Sequence, residues 1–69
     1  MRLKNYWEKL MADNFWQDNF IRNPNVAFKN AIARGLINPE QWMYMYSSSK
    51  KGIDFFKHHI TREYITFTY

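Results

Sequence analysis

Residues 38–56, NPEQWMYMYSSSKKGIDFF, admit two readings, and the choice between them sets the fold class. In the first, Asn38-Pro39 opens a helix: Asn accepts an orphan backbone N–H, and Pro takes the first helical position, where its missing donor costs nothing. That helix runs from Pro39 to about Ser47. Ile53, Phe56, Ile60 and Tyr64, spaced by three, four and four residues, then mark another, with Asp54 near its start and Lys57, His58 and His59 toward its end, as the helix dipole favours. In the second reading, Trp42–Tyr46 is a strand, Lys50-Lys51-Gly52 a hairpin turn with Gly left-handed, and Ile53–Phe56 the partner strand. We favour the helices because the cap at Asn38-Pro39 and the helical period agree. The polar run 47–52 is then a loop.

Upstream, Asn23-Pro24 repeats the same helix start, and Gly35 ends the apolar-periodic run Val26, Ala27, Phe28, Ala31, Ile32. A Gly there adopts the positive φ that stops a helix, with Leu36 closing a hydrophobic contact back onto the last turn. Further upstream, Leu3, Tyr6, Trp7, Leu10 and Met11 fall at helical spacing opposite Lys4, Glu8 and Lys9, which predicts an amphipathic helix. Asp13-Asn14 caps a second helix carrying Phe15, Trp16, Phe20 and Ile21 or lies on the polar face of one long helix, and Pro24 closes this segment through Asn23. Downstream, residues 64–69 alternate β-branched and aromatic side chains and read as an extended tail.

The expectation is therefore one domain, 1–69, mainly α: three to four short helices with an extended C-terminal segment. The alternative is an α+β fold with N-terminal helices and a C-terminal β-hairpin or meander. The expected core is Leu3, Trp7, Leu10, Phe15, Phe20, Val26, Phe28, Ile32, Leu36, Trp42, Met45, Phe56 and Ile60.

A 69-residue chain without cysteine has neither disulfides nor thiolate metal sites to support a small core. Its resource is aromatic: six Phe, five Tyr and three Trp, more rings than a core this size readily hides. The formal net charge of +4 is ordinary for a small domain, and the cations form no dense run. The residues of A/T-rich codons make up about half the chain, which suits a low-G/C genome and a phage-like origin. The N-terminal MRLKNYWEKLM lacks the apolar core of a secretory signal, and no apolar run spans a bilayer, so no membrane association and a cytoplasmic location are expected, the host's cytoplasm if the protein is phage-encoded.

Catalysis is not expected. There is no Cys nucleophile, no glycine-rich phosphate loop and no Ser with an evident base. His58 and His59, adjacent on a helix, would point about 100° apart and could not share a metal, so neither metal nor cofactor is expected. The carboxylates of Asp13, Asp18, Glu40, Asp54 and Glu63 are dispersed and read as solvated.

Two binding functions remain. The preferred one is a non-enzymatic protein-binding module that modulates or inhibits a host protein through surplus rings, Tyr6, Trp16, Tyr44, Tyr64 and Tyr69, because Tyr and Trp are enriched in interface hot spots. Self-association into a homo-oligomer is an open alternative. The other is nucleic-acid binding. Ala31, Gly35 and Leu36 have the spacing of a helix-turn-helix, with Pro39–Tyr46 as recognition helix and Lys29, Arg34, Gln41, Tyr44, Lys50 and Lys51 as contacts. Against it, Gln41 stands where that motif buries an apolar residue, and the recognition helix would carry no Arg or Lys.

Overall fold

In the computed structural model, which describes residues 15–69, the chain forms α1 (Phe15–Asp18), β1 (Asn19–Phe20), α2 (Pro24–Ala33), a 3-10 turn (Pro39–Gln41), β2 (Trp42–Ser48), β3 (Ile53–His58) and β4 (Tyr64–Thr68). The four strands make one antiparallel sheet in the order β1-β2-β3-β4, and α2 is the one helix of more than a single turn among the described residues. The protein is thus a small α+β fold, not a mainly helical bundle. The expected N-terminal helix, the core positions Leu3, Trp7 and Leu10, and Tyr6 lie outside the described residues.

The start at Asn23-Pro24 and the stop at Gly35 form as the sequence predicts. The Asn23 side chain accepts from the Asn25 N–H at 2.9 Å, and Pro24 opens the helix. Gly35, at φ 115, donates to Ile32 O, and Leu36 N–H reaches back to Ala31 O at 2.9 Å, the paired bonds of a Schellman motif. The second Asn-Pro behaves differently. Asn38 is itself left-handed, at φ 52, its side chain caps nothing, and only three residues of 3-10 turn follow before the chain extends. The reason lies downstream: the aromatic run Trp42–Tyr46 fits a pleated surface and finds a ladder partner in β3. Gly52, at φ 66, closes that hairpin, and Ser47 and Ser48 belong to β2, so the loop shortens to 49–52. The spacing of Ile53, Phe56, Ile60 and Tyr64 that read as a helix falls instead on two strands and the turn joining them.

Met45 is the surplus residue of a β-bulge: Tyr44 pairs with Phe56, and Tyr46 with Phe55. The bulge reverses the alternation, so that Tyr44 and Ser47, three apart, lie on one face, where an unbroken strand would place them on opposite faces. That face, shared with Phe56, Asp54, Ile65 and Phe67, receives α2. The helix approaches through Ala27 and Ala31, both fully buried and one turn apart, so small side chains let its backbone settle over Phe56. Phe28 meets Phe56 edge to face at 4.9 Å.

This geometry revises the expected core. Val26 and Ile32, one residue outside the Ala27–Ala31 row, rotate about 100° away from it and are exposed. Phe20 and Ile60 are also exposed, Ile60 because it sits in the β3–β4 turn, whereas Phe15, Leu36 and Phe56 are buried and Phe28, Trp42 and Met45 half-buried. On the opposite face of the sheet, rings touch in an unbroken series from Trp16 through Phe15, Tyr46 and Phe55 to Tyr64, with Tyr46 and Phe55 stacked at 4.5 Å.

Candidate functional site: a braced aromatic corner

Asp54 is the residue around which the site is built. It stands on central strand β3 between Ile53 and Phe55 and is completely buried, beside the equally buried Ser47. A carboxylate cannot remain charged in such a place without partners. Arg22, in the segment between β1 and α2, supplies two: Nε donates to Oδ1 at 2.9 Å and Nη2 to Oδ2 at 2.6 Å, a bidentate charge-assisted pair. The expectation that Asp54 is solvated is therefore overturned.

The remaining bonds close a ring whose proton directions follow from its ends. The backbone N–H of Arg22 donates to Tyr44 Oη at 3.1 Å, and Ser47 Oγ–H donates to Asp54 Oδ1. With the Ser47 proton committed, the 2.6 Å contact between Tyr44 and Ser47 has Tyr44 as donor. The circuit runs from Arg22 N–H to Tyr44, to Ser47, to Asp54 and back to the Arg22 guanidinium. Such a network is strong when every member is satisfied, and it depends on the bulge that brought Tyr44 and Ser47 to one face. The guanidinium's pKa is raised above its ordinary value, chiefly by the hydrogen bond to Asp54 and also by that carboxylate's charge, against desolvation. A raised pKa means stability that is present below the unfolded value and lost only as pH rises through the folded one, so this contribution persists until strong alkali.

The guanidinium also lies 4.9 Å from the centre of the Tyr69 ring. Tyr69 is fixed at two more points: its N–H donates to Gly52 O at 3.1 Å, and its hydroxyl to Ser48 O at 3.1 Å. Phe20 stands edge-on to it at 6.3 Å. The outer surface of this corner is Phe20, Ile21 and Tyr69, with relative exposures of 36%, 57% and 43%. An ion pair with a fully buried carboxylate and a partly exposed guanidinium thus anchors a solvent-facing group of two rings and an isoleucine.

Of the rings expected to meet a partner, Tyr69 lies in this corner. Tyr44 lies behind it, half-buried with its hydroxyl engaged, and so is not a free surface ring. Trp16 and Tyr64, both exposed, belong to the ring series on the other face, as its first and last members among the described residues, and do not join the corner. Tyr6 is outside the described residues. The residues expected to contact nucleic acid are dispersed: Lys29 on α2, Arg34 just after it, Gln41 in the 3-10 turn, Tyr44 in the buried ring, and Lys50 and Lys51 in the β2–β3 turn. The segment Pro39–Tyr46, expected as a recognition helix, is a short turn and a strand, which removes the helix-turn-helix. His58 is a structural acceptor, its Nδ1 taking the N–H groups of Ile60 and Thr61 at 3.1 Å each in the β3–β4 turn.

Sequence reasoning missed Arg22, Asp54, Ser47, Phe20 and Ile21 as members of the site. One signal was present: an acid flanked by Ile, Phe and Phe in a strand reading is buried whenever the strand is central, and then requires a cation.

A cleft of about 400 Å³ opens between α1, β2 and the β2–β3 turn, with Phe15, Tyr46 and Phe55 as its floor and Lys50 and Lys51 at its rim. Among the described residues no helix is long and apolar enough to cross a membrane, which says nothing of crossing by strands. Comparison with known protein families, with curated proteins and with solved structures gives no match to this chain.

Proposed function

We propose that this protein is a non-enzymatic binding module that modulates or inhibits a protein partner by occupying its surface with the Phe20–Ile21–Tyr69 corner. The observation that carries the proposal is the pairing of solvent-exposed apolar side chains with a bidentate ion pair beneath them whose carboxylate is fully buried. Interfaces concentrate their energy in a few large side chains held in advance in the bound geometry, because ordering them on binding costs free energy. Here the ordering is done by folding. The polar groups that a reaction would need, Asp54, Ser47 and Tyr44, are committed to one another inside the ring, which supports a binding role over a catalytic one. The net charge of +4 favours a partner whose contact has an apolar centre and an acidic rim.

The test is capture from lysate at high salt after nuclease treatment, comparing the native chain with Ile21→Asp and with the double variant Phe20→Ser/Tyr69→Ser. A protein retained by the native chain and lost with both corner variants, while Trp16→Ser still captures it, supports the proposal. Retention by both corner variants, or loss on nuclease treatment, overturns it.

A further inference from the structure

The last strand, β4, carries a second feature, independent of the corner. Its ladder parity is fixed at both ends: His58 N–H donates to Glu63 O at 2.8 Å, and Tyr69 N–H donates to Gly52 O at 3.1 Å. Both pairs continue the β3–β4 register, in which Phe56 faces Ile65 and Asp54 faces Phe67. Hydrogen-bonded pairs in an antiparallel ladder recur every second residue, so Ile65 and Phe67 bond inward to β3 while Thr66 and Thr68 turn their backbone groups outward. Asn30 gives an independent check. From α2 its side-chain amide donates to Thr68 O at 2.8 Å, on the side of β4 away from β3.

Thr66, at the centre of the strand, is exposed and has its N–H and C=O on the outer edge. Natural edge strands are usually blunted by Lys, Pro or a bulge, and β4, Tyr64–Thr68, has none of these.

We propose that this edge pairs with the β4 edge of a second copy of the chain, antiparallel about a two-fold axis through Thr66. The argument for a second copy is that the edge complements itself. Five residues with an outward-facing one in the middle map onto themselves under that axis, so Thr66 N–H meets the partner's Thr66 C=O twice over with no shift of register; Thr68 O keeps its Asn30 amide, so these two central bonds carry the pairing. On the helix-bearing face Ile65 then lies opposite the partner's Phe67, and on the other face the two threonines meet, both favourable cross-strand pairs. No charge lies within β4, but each chain carries +4, so the copies repel at long range and added salt strengthens the pairing. The contact is small, two short strands side by side, and the dimer is accordingly weak.

The experiment is the mass of the full chain by light scattering or sedimentation from roughly 10 µM to 1 mM, the span of weak association, with amide exchange measured at both ends of the range. Expected are a rise from one chain's mass toward two, steeper at higher salt, and exchange at Thr66 that slows with concentration while Ile65 is slow throughout. Thr66→Pro deletes an outward donor without touching the β3 ladder, and Thr66→Lys keeps the backbone but sets two like charges face to face; each abolishes the rise. Circular dichroism of Thr66→Lys verifies that its fold survives. A monomer across the whole range, a dimer indifferent to Thr66→Lys, or association removed instead by Phe20→Ser/Tyr69→Ser overturns the proposal.

Discussion

Strands β3 and β4 are neighbours built from similar residues, aromatic and β-branched, yet they stand under different constraints. β3 has a strand on each side and α2 above it, and two of its side chains, Asp54 and Phe56, are wholly buried. β4 has β3 on one side, and its side chains alternate between exposed and half-buried. A polar side chain on the covered face of the central strand must be answered by a specific partner. On the edge strand the threonines that face outward answer to water. Chemistry of the same kind is therefore structural in one strand and available for contact in the next.

The sharpest way to break this contrast is to delete a polar side chain from each strand. Asp54→Ala leaves the Arg22 guanidinium and the Ser47 hydroxyl without their acceptor and is expected to cost about 3–5 kcal/mol, the range for breaking a buried ion pair. A domain of this size holds only about 3–10 kcal/mol in all, so urea titration should find the variant stripped of about a third or more of its stability. Thr66→Ala in β4 should shift stability by less than about 0.5 kcal/mol. Equal losses in the two variants would erase the distinction. Phe56→Ala tests the same central position through packing alone and is expected to lose about 3–5 kcal/mol by the same titration.

The double variant Arg22→Met/Asp54→Leu refines the comparison. Replacing a buried pair by apolar residues of similar size is often nearly neutral, so it should recover most of what Asp54→Ala loses, to within about 1–2 kcal/mol of the native chain. Tyr69 would lose the cation over its ring and the corner its brace. A variant that regains stability but loses partner capture would separate the anchor's energetic role from its role in holding the corner in place.

How far the fold could be read from the residues follows the same division. Short-range signals were legible: the Asn23 cap, the Gly35 stop and Leu36 turning inward are each decided within one or two helical turns. The fold class was not, because Asn38-Pro39 and a spacing of three, four and four pointed to helices, whereas Trp42–Tyr46 preferred a sheet only through contacts with residues nine or more positions away. The bulge at Met45 has no local signature, and without it nothing predicts that Tyr44 and Ser47 share a face with Asp54. The corner was half visible. Tyr69 stood out as a surplus ring, but its neighbours Phe20 and Arg22 reach it only through the long connection that carries the chain through α2 and across the sheet.

The two hairpin turns extend the comparison to its smallest effect. Both need a residue at nearly the same positive φ: Gly52 at 66 between β2 and β3, and Arg62 at 67 between β3 and β4. For a side chain to sit there costs roughly 1–2 kcal/mol, and glycine avoids that penalty but loses roughly 0.5–1 kcal/mol of unfolded-state freedom. A Cβ added at Gly52 would meet no atom within 4 Å, so Gly52→Ala should lose about 1 kcal/mol from backbone conformation alone. Arg62→Gly should gain about 0.5 kcal/mol, since the strain relieved slightly exceeds the entropy lost. The edge turn keeps its strained arginine because His58, through Nδ1, already holds the Ile60 and Thr61 N–H groups and fixes the path of the chain. Thermal unfolding of the two variants should move in opposite directions. A loss of stability in Arg62→Gly would mean that the arginine side chain contributes to the edge hairpin as Asp54 does to the centre, and the contrast between the strands would narrow.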